Sequence, residues 1–264
     1  MVKKMYVDGP MGQVHLRQLG QGYPLILLHQ TAWSSVQFQR AMPILAAYGF
    51  KCIAIDTPGY GMSDTNAESP SVDLYAESLN VVLDRINVSK PIILAHHTGA
   101  SIATKFAFLY PNNIKHLILH GVPIFTKDEV KGRLERPHFD QSPKNDGSHF
   151  TERWNYAKNV VGEGVSNEAI HNSIMQFFTS GLNEWHGHHA AFKYNLGEDY
   201  KKLNVPTSIV SNTGDPLHSK MEQLKNIRPD FFYLEIKGGT FHIIFDDPEN
   251  WANSIYENIL KELK

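Results

Sequence analysis

Two histidines stand side by side in Ala95-His96-His97-Thr98-Gly99, flanked by small residues, and Asp215 and His242 follow far downstream. Imidazole is the side chain whose ordinary pKa lies nearest neutrality, so it can take up and release a proton at physiological pH. A carboxylate beside such a ring orients it and stabilises its cation. Two imidazoles held close together disfavour double protonation, which leaves one neutral and able to act as a base. A second group of histidines, in Trp185-His186-Gly187-His188-His189, suggests metal binding by number alone. His188 and His189 are adjacent and diverge on a helix, and no cysteine or carboxylate sits at ligand spacing, so no metal is expected there.

The elements that must position these side chains can be read from the periodicity. Lys4 to Val7 and Gln13 to Gln18 flank the turn signal Gly9-Pro10-Met11-Gly12 and predict an antiparallel hairpin. Apolar runs at Pro24–Leu28, Cys52–Ile55, Pro91–Ala95 and Ile114–Leu119 predict buried strands. Helical stretches run from Ser34-Ser35 to about Tyr48, from Val72 to Ile86 and from Ala100 to Tyr110. Strict strand–helix alternation builds right-handed crossovers and a parallel sheet with helices on both faces. From 123 to 195 the chain turns polar, with helical stretches such as Asn167 to Ser180 and no strand pattern. Strands return at Pro206–Ser211 and Phe232–Ile236, and a helix is expected from Asn250 to Leu263. The reading is an α/β core of eight mostly parallel strands, residues 1–122 and 196–264, with a helical cap, 123–195, inserted after the sixth strand over the carboxyl ends of the strands.

Four segments in this order resemble the α/β-hydrolase family outside the cap. Leu28-His29-Gln30-Thr31 is similar to its His-Gly-x turn, and Asp56 to Asp64 follows its D-x-x-G-x-G-x-S-D loop. Ala95-His96-His97-Thr98-Gly99 takes the place of the nucleophile elbow G-x-S-x-G, and Asp215 and His242 follow in the family's order of acid and histidine. The resemblance implies a pocket with His97, Asp215 and His242 as catalytic residues and the N–H groups of Thr31 and Thr98 as oxyanion hole. It departs from the family at the nucleophile, which is an imidazole, and at Gln30, which replaces a glycine. Neither Thr98 nor Ser101 rescues a serine mechanism. In the favoured arrangement Asp215 orients His242 as general base, and His97 donates a hydrogen bond or positions the nucleophile. Direct attack by His97 is the less favoured route. His29, Gln30, Trp33, Trp185 and His189 are expected to line the substrate site. His96, Trp154, Phe177 and Phe178 are read as packing residues.

Composition bounds the partners. Of 264 residues, 42% are apolar and 20% charged, with a net charge of −2, which leaves no excess of cations for nucleic acid. No run approaches the ~20 apolar residues of a membrane span, and the amino terminus lacks a signal peptide pattern, so a cytoplasmic protein is expected. Cys52, the only cysteine, excludes an internal disulfide and sits in a strand as a small buried hydrophobe. The functional expectation is a cofactor-independent enzyme, monomer or homodimer, acting on a small-molecule carbonyl compound: an ester, lactone or C–C hydrolase without a serine nucleophile. A non-catalytic small-molecule binder, or a lyase or cofactor-free oxygenase, are the alternatives.

Overall fold

A computed structural model describes residues 1–263. The expected hairpin forms from β1 (Lys3–Gly9) and β2 (Gly12–Leu19), with Val7 opposite Val14. Strand and helix then alternate through β3 (Tyr23–Leu28), α1 (Ala41–Ala47), β4 (Phe50–Ile55), α2 (Val72–Arg85), β5 (Ile92–His96), α3 (Thr98–Leu109) and β6 (His116–His120). Between β6 and the next strand the described chain is helical: α4 (Lys127–Leu134), α5 (Ser148–Val160), α6 (Asn167–Thr179), α7 (His186–Lys193) and α8 (Leu196–Lys202). The chain closes with β7 (Thr207–Asn212), α9 (Met221–Ile227), β8 (Phe232–Ile236), α10 (Ile243–Asp246) and α11 (Pro248–Asn258).

The eight strands form one sheet in the order β1-β2-β4-β3-β5-β6-β7-β8, antiparallel at β1–β2 and β2–β4 and parallel elsewhere. Both faces of its centre are dry, which explains continuous apolar runs where a one-sided sheet would alternate. Ile26, Leu28, Ile93, Ala95 and Leu119 face the layer containing α2 and α3. Their neighbours Leu25, Leu27, Ile92, Leu94 and Ile118 face the layer of α1 and α11. Cys52 is buried in that second layer, and burial pushes its thiol up to about 12, far from reactivity. Among the described residues no helix is long and apolar enough to cross a membrane.

Two helices differ from the periodic reading. The stretch from Ser34 breaks into a 3-10 turn, Ser35–Phe38, followed by α1. Ser34 caps that turn through its hydroxyl, and the Ser35 N–H is drawn to Asp56 Oδ1 at 2.6 Å, which fixes a tighter start than an α-helix would have. The last helix begins at Pro248, capped by Asp247, and ends at Asn258 ahead of a 3-10 turn at Leu260–Leu263.

Candidate active site

The turn from β5 into α3 puts His97 in a backbone conformation that side-chain-bearing residues avoid, with φ 49° and ψ −113°. Such strain costs on the order of 1–3 kcal/mol and persists where the surroundings over-determine it. Here the His97 N–H is tied to His120 O at 3.0 Å, and α3 starts at the next residue. Gly99 is small for a steric reason: a Cβ there would lie 2.6 Å from Leu28 O and 2.8 Å from His29 O. The bend therefore projects the His97 ring beyond the sheet edge.

Asp215 follows β7 and heads a short turn in which its Oδ1 accepts the Leu217 N–H at 2.7 Å. Its Oδ2 accepts a hydrogen bond from His97 Nε2 at 2.6 Å. Gly121, just past β6, makes this approach possible. A Cβ there would meet His97 Cδ2 at 2.3 Å, His97 Nε2 at 2.6 Å and Asp215 Oδ2 at 3.1 Å. Burial would raise the Asp215 carboxyl pKa, but the His97 and His96 rings facing it outweigh that and hold it well below the usual carboxylate range.

His242 is not the ring that Asp215 orients. Its Nδ1 lies 3.2 Å from Gln30 Nε2, and its Nε2 is buried without a partner. Trp33 and Phe241 flank it, with ring centroids at 5.2 Å and 4.8 Å. Burial, reinforced by the neighbouring His97, pushes its pKa down to about 3. The expectation that Asp215 holds His242 is thus corrected, because the elbow imidazole is long enough to reach the carboxylate itself.

The expected oxyanion hole is also altered. The Thr31 N–H donates to Thr98 Oγ1 at 2.6 Å, so that hydroxyl already occupies it. The Thr98 N–H, at the start of α3, has no hydrogen bond among the described residues. His29 is a structural residue instead of a pocket wall: Nδ1 donates to Gln30 O at 2.8 Å and Nε2 accepts the Thr57 N–H at 2.9 Å. Gln30 and Trp33 sit against His242.

In α7 His188 stacks on Phe192, with ring centroids 5.8 Å apart. Burial and the nearby His97 and Arg153 push His188 down to about 4. His189 diverges from His188 by about 100° around the helix, and it packs with Trp185 against His138, Trp185 stacked at 4.7 Å and His189 tilted at 4.9 Å. Tyr60, unremarked in the sequence, ties α7 down: its hydroxyl donates to Glu184 O at 2.8 Å and accepts the Gly187 N–H at 2.6 Å. A cavity of about 430 Å³ between Phe125, Phe192, Tyr194 and Leu196 does not include His97 in its lining. His96, His97 and Asp215 bring ligand-type atoms within 4.8 Å of one another, a grouping the sequence alone did not single out as metal-binding.

Comparison with known proteins agrees with this architecture. A model of the alpha/beta hydrolase fold family matches residues 23–248. A putative non-heme chloroperoxidase of Synechocystis sp. is 23% identical over 263 residues, covering 94% of this chain and 92% of that protein. A 2-hydroxy-6-oxononadienedioate/2-hydroxy-6-oxononatrienedioate hydrolase of Burkholderia vietnamiensis is 33% identical over 121 residues, 43% of this chain and 41% of that protein. Among solved structures, E-2-(acetamidomethylene)succinate hydrolase superposes with a TM-score of 0.78 at 18% identity, covering 98% of this chain and 99% of that one. An epoxide hydrolase from an endophytic Streptomyces gives 0.77 at 17% identity, covering 99% and 96%.

Proposed function

Because this chain belongs to the alpha/beta hydrolase fold family, we propose that it is a cofactor-independent hydrolase that cleaves an ester, lactone or carbon–carbon bond of a small carbonyl compound, with His97 in place of a serine. One observation carries the reading: the elbow ring gives Nε2 to Asp215 at 2.6 Å, while no hydrogen bond reaches its Nδ1 among the described residues. The His97 side chain keeps 11% exposure, whereas Asp215 has none, so Nδ1 is the nitrogen left open. With the proton on Nε2, the Nδ1 lone pair is the base. Nδ1 takes a proton from water as the oxygen bonds to the substrate carbonyl carbon, and Asp215 stabilises the imidazolium that forms. The Thr98 N–H receives the developing oxyanion, and the Nδ1 proton passes to the leaving atom as its bond to carbon breaks. His242 stays neutral beside it.

The helices between β6 and β7, read as a cap, point to an anionic substrate. The Arg153 guanidinium lies 3.6 Å from the Phe177 centroid, and that of Arg133 lies 4.0 Å from the Phe125 centroid. Each has a buried Nε without a partner, and neither forms an ion pair among the described residues. Half-buried guanidiniums of this kind suit a carboxylate. The dioate in the name of the Burkholderia relative is of the same chemical class.

A second reading has its own support. The Thr98 hydroxyl that caps the Thr31 N–H removes one oxyanion donor, which favours a non-catalytic binder, or a lyase or oxygenase that needs no such hole. Exposure to a fluorophosphonate together with 4-nitrophenyl acetate separates the cases. The expected result is ester hydrolysis that the fluorophosphonate leaves intact. Stoichiometric labelling with loss of activity contradicts the absence of serine chemistry, and no hydrolysis of any small ester supports the binder.

A further inference from the structure

His96 is fully buried behind the elbow, and the mechanism above makes no use of it. Its Nδ1 lies 2.7 Å from Gln37 Nε2, while Gln37 Oε1 accepts the Gln30 N–H at 3.0 Å. The second bond fixes the amide, since turning it over would set an NH2 group against an N–H. Gln37 therefore donates to His96 Nδ1, and a nitrogen that accepts a hydrogen bond carries no proton. Burial, with His97 alongside, keeps the ring neutral, its pKa held well below the usual imidazole value. The single ring proton is then on Nε2, the atom that faces Asp215 Oδ2 at 3.7 Å and has no hydrogen-bond partner.

We propose that His96 is a positioning residue for Asp215, its Nε2–H aimed at the carboxylate by the line that runs from the Gln30 backbone through Gln37. At 3.7 Å the contact is longer than a hydrogen bond. It acts as a bond dipole on a buried anion, which counts for more in the interior than in water. Asp215 Oδ2 is thereby flanked by two imidazole nitrogens, His97 at 2.6 Å and His96 at 3.7 Å, with Leu217 N–H on Oδ1. That leaves the carboxylate one place to rest and the His97 ring one orientation.

The same argument decides between two uses of the cluster. His96, His97 and Asp215 have the residue types of a zinc site, and their ligand atoms lie within 4.8 Å of one another. A histidine binds a metal through a lone pair, and the Gln37 contact places that lone pair on the wrong nitrogen. Gly121, whose added Cβ would lie 3.1 Å from Asp215 Oδ2, provides space for ring and carboxylate to close on each other. The cluster is a carboxylate clamp.

The kinetic part of this inference rests on His97 and Asp215 as the working pair, whereas its tautomer and metal parts do not. Long-range proton–nitrogen correlation spectra of the full chain should show the His96 proton on Nε2, and one equivalent of Zn2+ should leave the His96 and His97 signals unmoved. A wild-type ring protonated on Nδ1, or stoichiometric Zn2+ binding that His96→Ala abolishes, overturns the proposal. Gln37→Glu keeps an acceptor for the Gln30 N–H but presents a second acceptor to His96, so the proton should move to Nδ1. With 4-nitrophenyl acetate kcat should then fall about tenfold or more at little-changed KM. Gln37→Met, which removes the donor without adding charge, serves if the glutamate variant does not fold, with a fall in kcat again expected. Folded variants with full kcat overturn the positioning role. If the wild type hydrolyses nothing, the spectra and the Zn2+ titration still test the clamp while the hydrolase reading fails alone.

Discussion

His97→Gln is expected to lower kcat for 4-nitrophenyl acetate by about a thousandfold, the middle of the range for losing a general base. Glutamine retains similar length and an N–H donor for Asp215, so the loss reports the missing Nδ1 lone pair and not a broken contact. His242→Gln should cost far less, about tenfold. Its ring has no carboxylate partner and meets Gln30 at 3.2 Å, and its pKa is held down to about 3, which makes it a poor proton acceptor near neutrality. The measurement is kcat for both variants under saturating ester, beside the thermal unfolding midpoint of each. A reversed ranking, with His242→Gln the more damaging, would mean that the downstream histidine is the base.

Asp215→Asn is expected to be at least as harmful, about 10³- to 10⁴-fold in kcat with KM nearly unchanged. An amide can donate where the carboxylate only accepts. It then stabilises the His97 tautomer with the proton on Nδ1, which points the wrong nitrogen at the substrate. The carboxylate is also the charge that offsets the imidazolium formed during water attack. Protonation of Asp215 is no route to inactivity in moderate acid. Its folded pKa lies below that of the unfolded chain, so its contribution to stability is complete above the ordinary carboxylate pKa and is lost only as pH falls well beneath it. Retention of more than a tenth of wild-type kcat in a folded Asp215→Asn protein would show that the pair does no chemistry.

The sheet was legible because its signals are local. Leu25 to Leu28 or Ile92 to Leu94 are apolar on successive residues, and only a strand covered on both faces uses such a run. The elbow was legible from Ala95 and Gly99, and its strained backbone is present at His97. Which ring meets Asp215 was not legible, because chain order places His242 near the site without fixing where each imidazole points. The answer depends on Gly121, an unmarked residue after β6 whose missing side chain admits the His97–Asp215 contact. Likewise the Thr98 hydroxyl on the Thr31 N–H depends on a rotamer set by tertiary packing. Gln37 carried no signal in the sequence, since glutamine on a helix start is ordinarily exposed; here it is buried and fixes the His96 tautomer.

The central claim is that His97, held by Asp215 through Nε2, presents Nδ1 to the reacting carbonyl. A crystal structure with a trifluoromethyl ketone bound as its hydrate tests this directly, since the two hydrate oxygens mark the attacking water and the oxyanion. The account predicts His97 Nδ1 at about 2.8 Å from one of them, the Thr98 N–H near the other, and the His97–Asp215 contact preserved. A complex in which His242 contacts the hydrate and takes over Asp215, with the His97 ring turned aside, would contradict it.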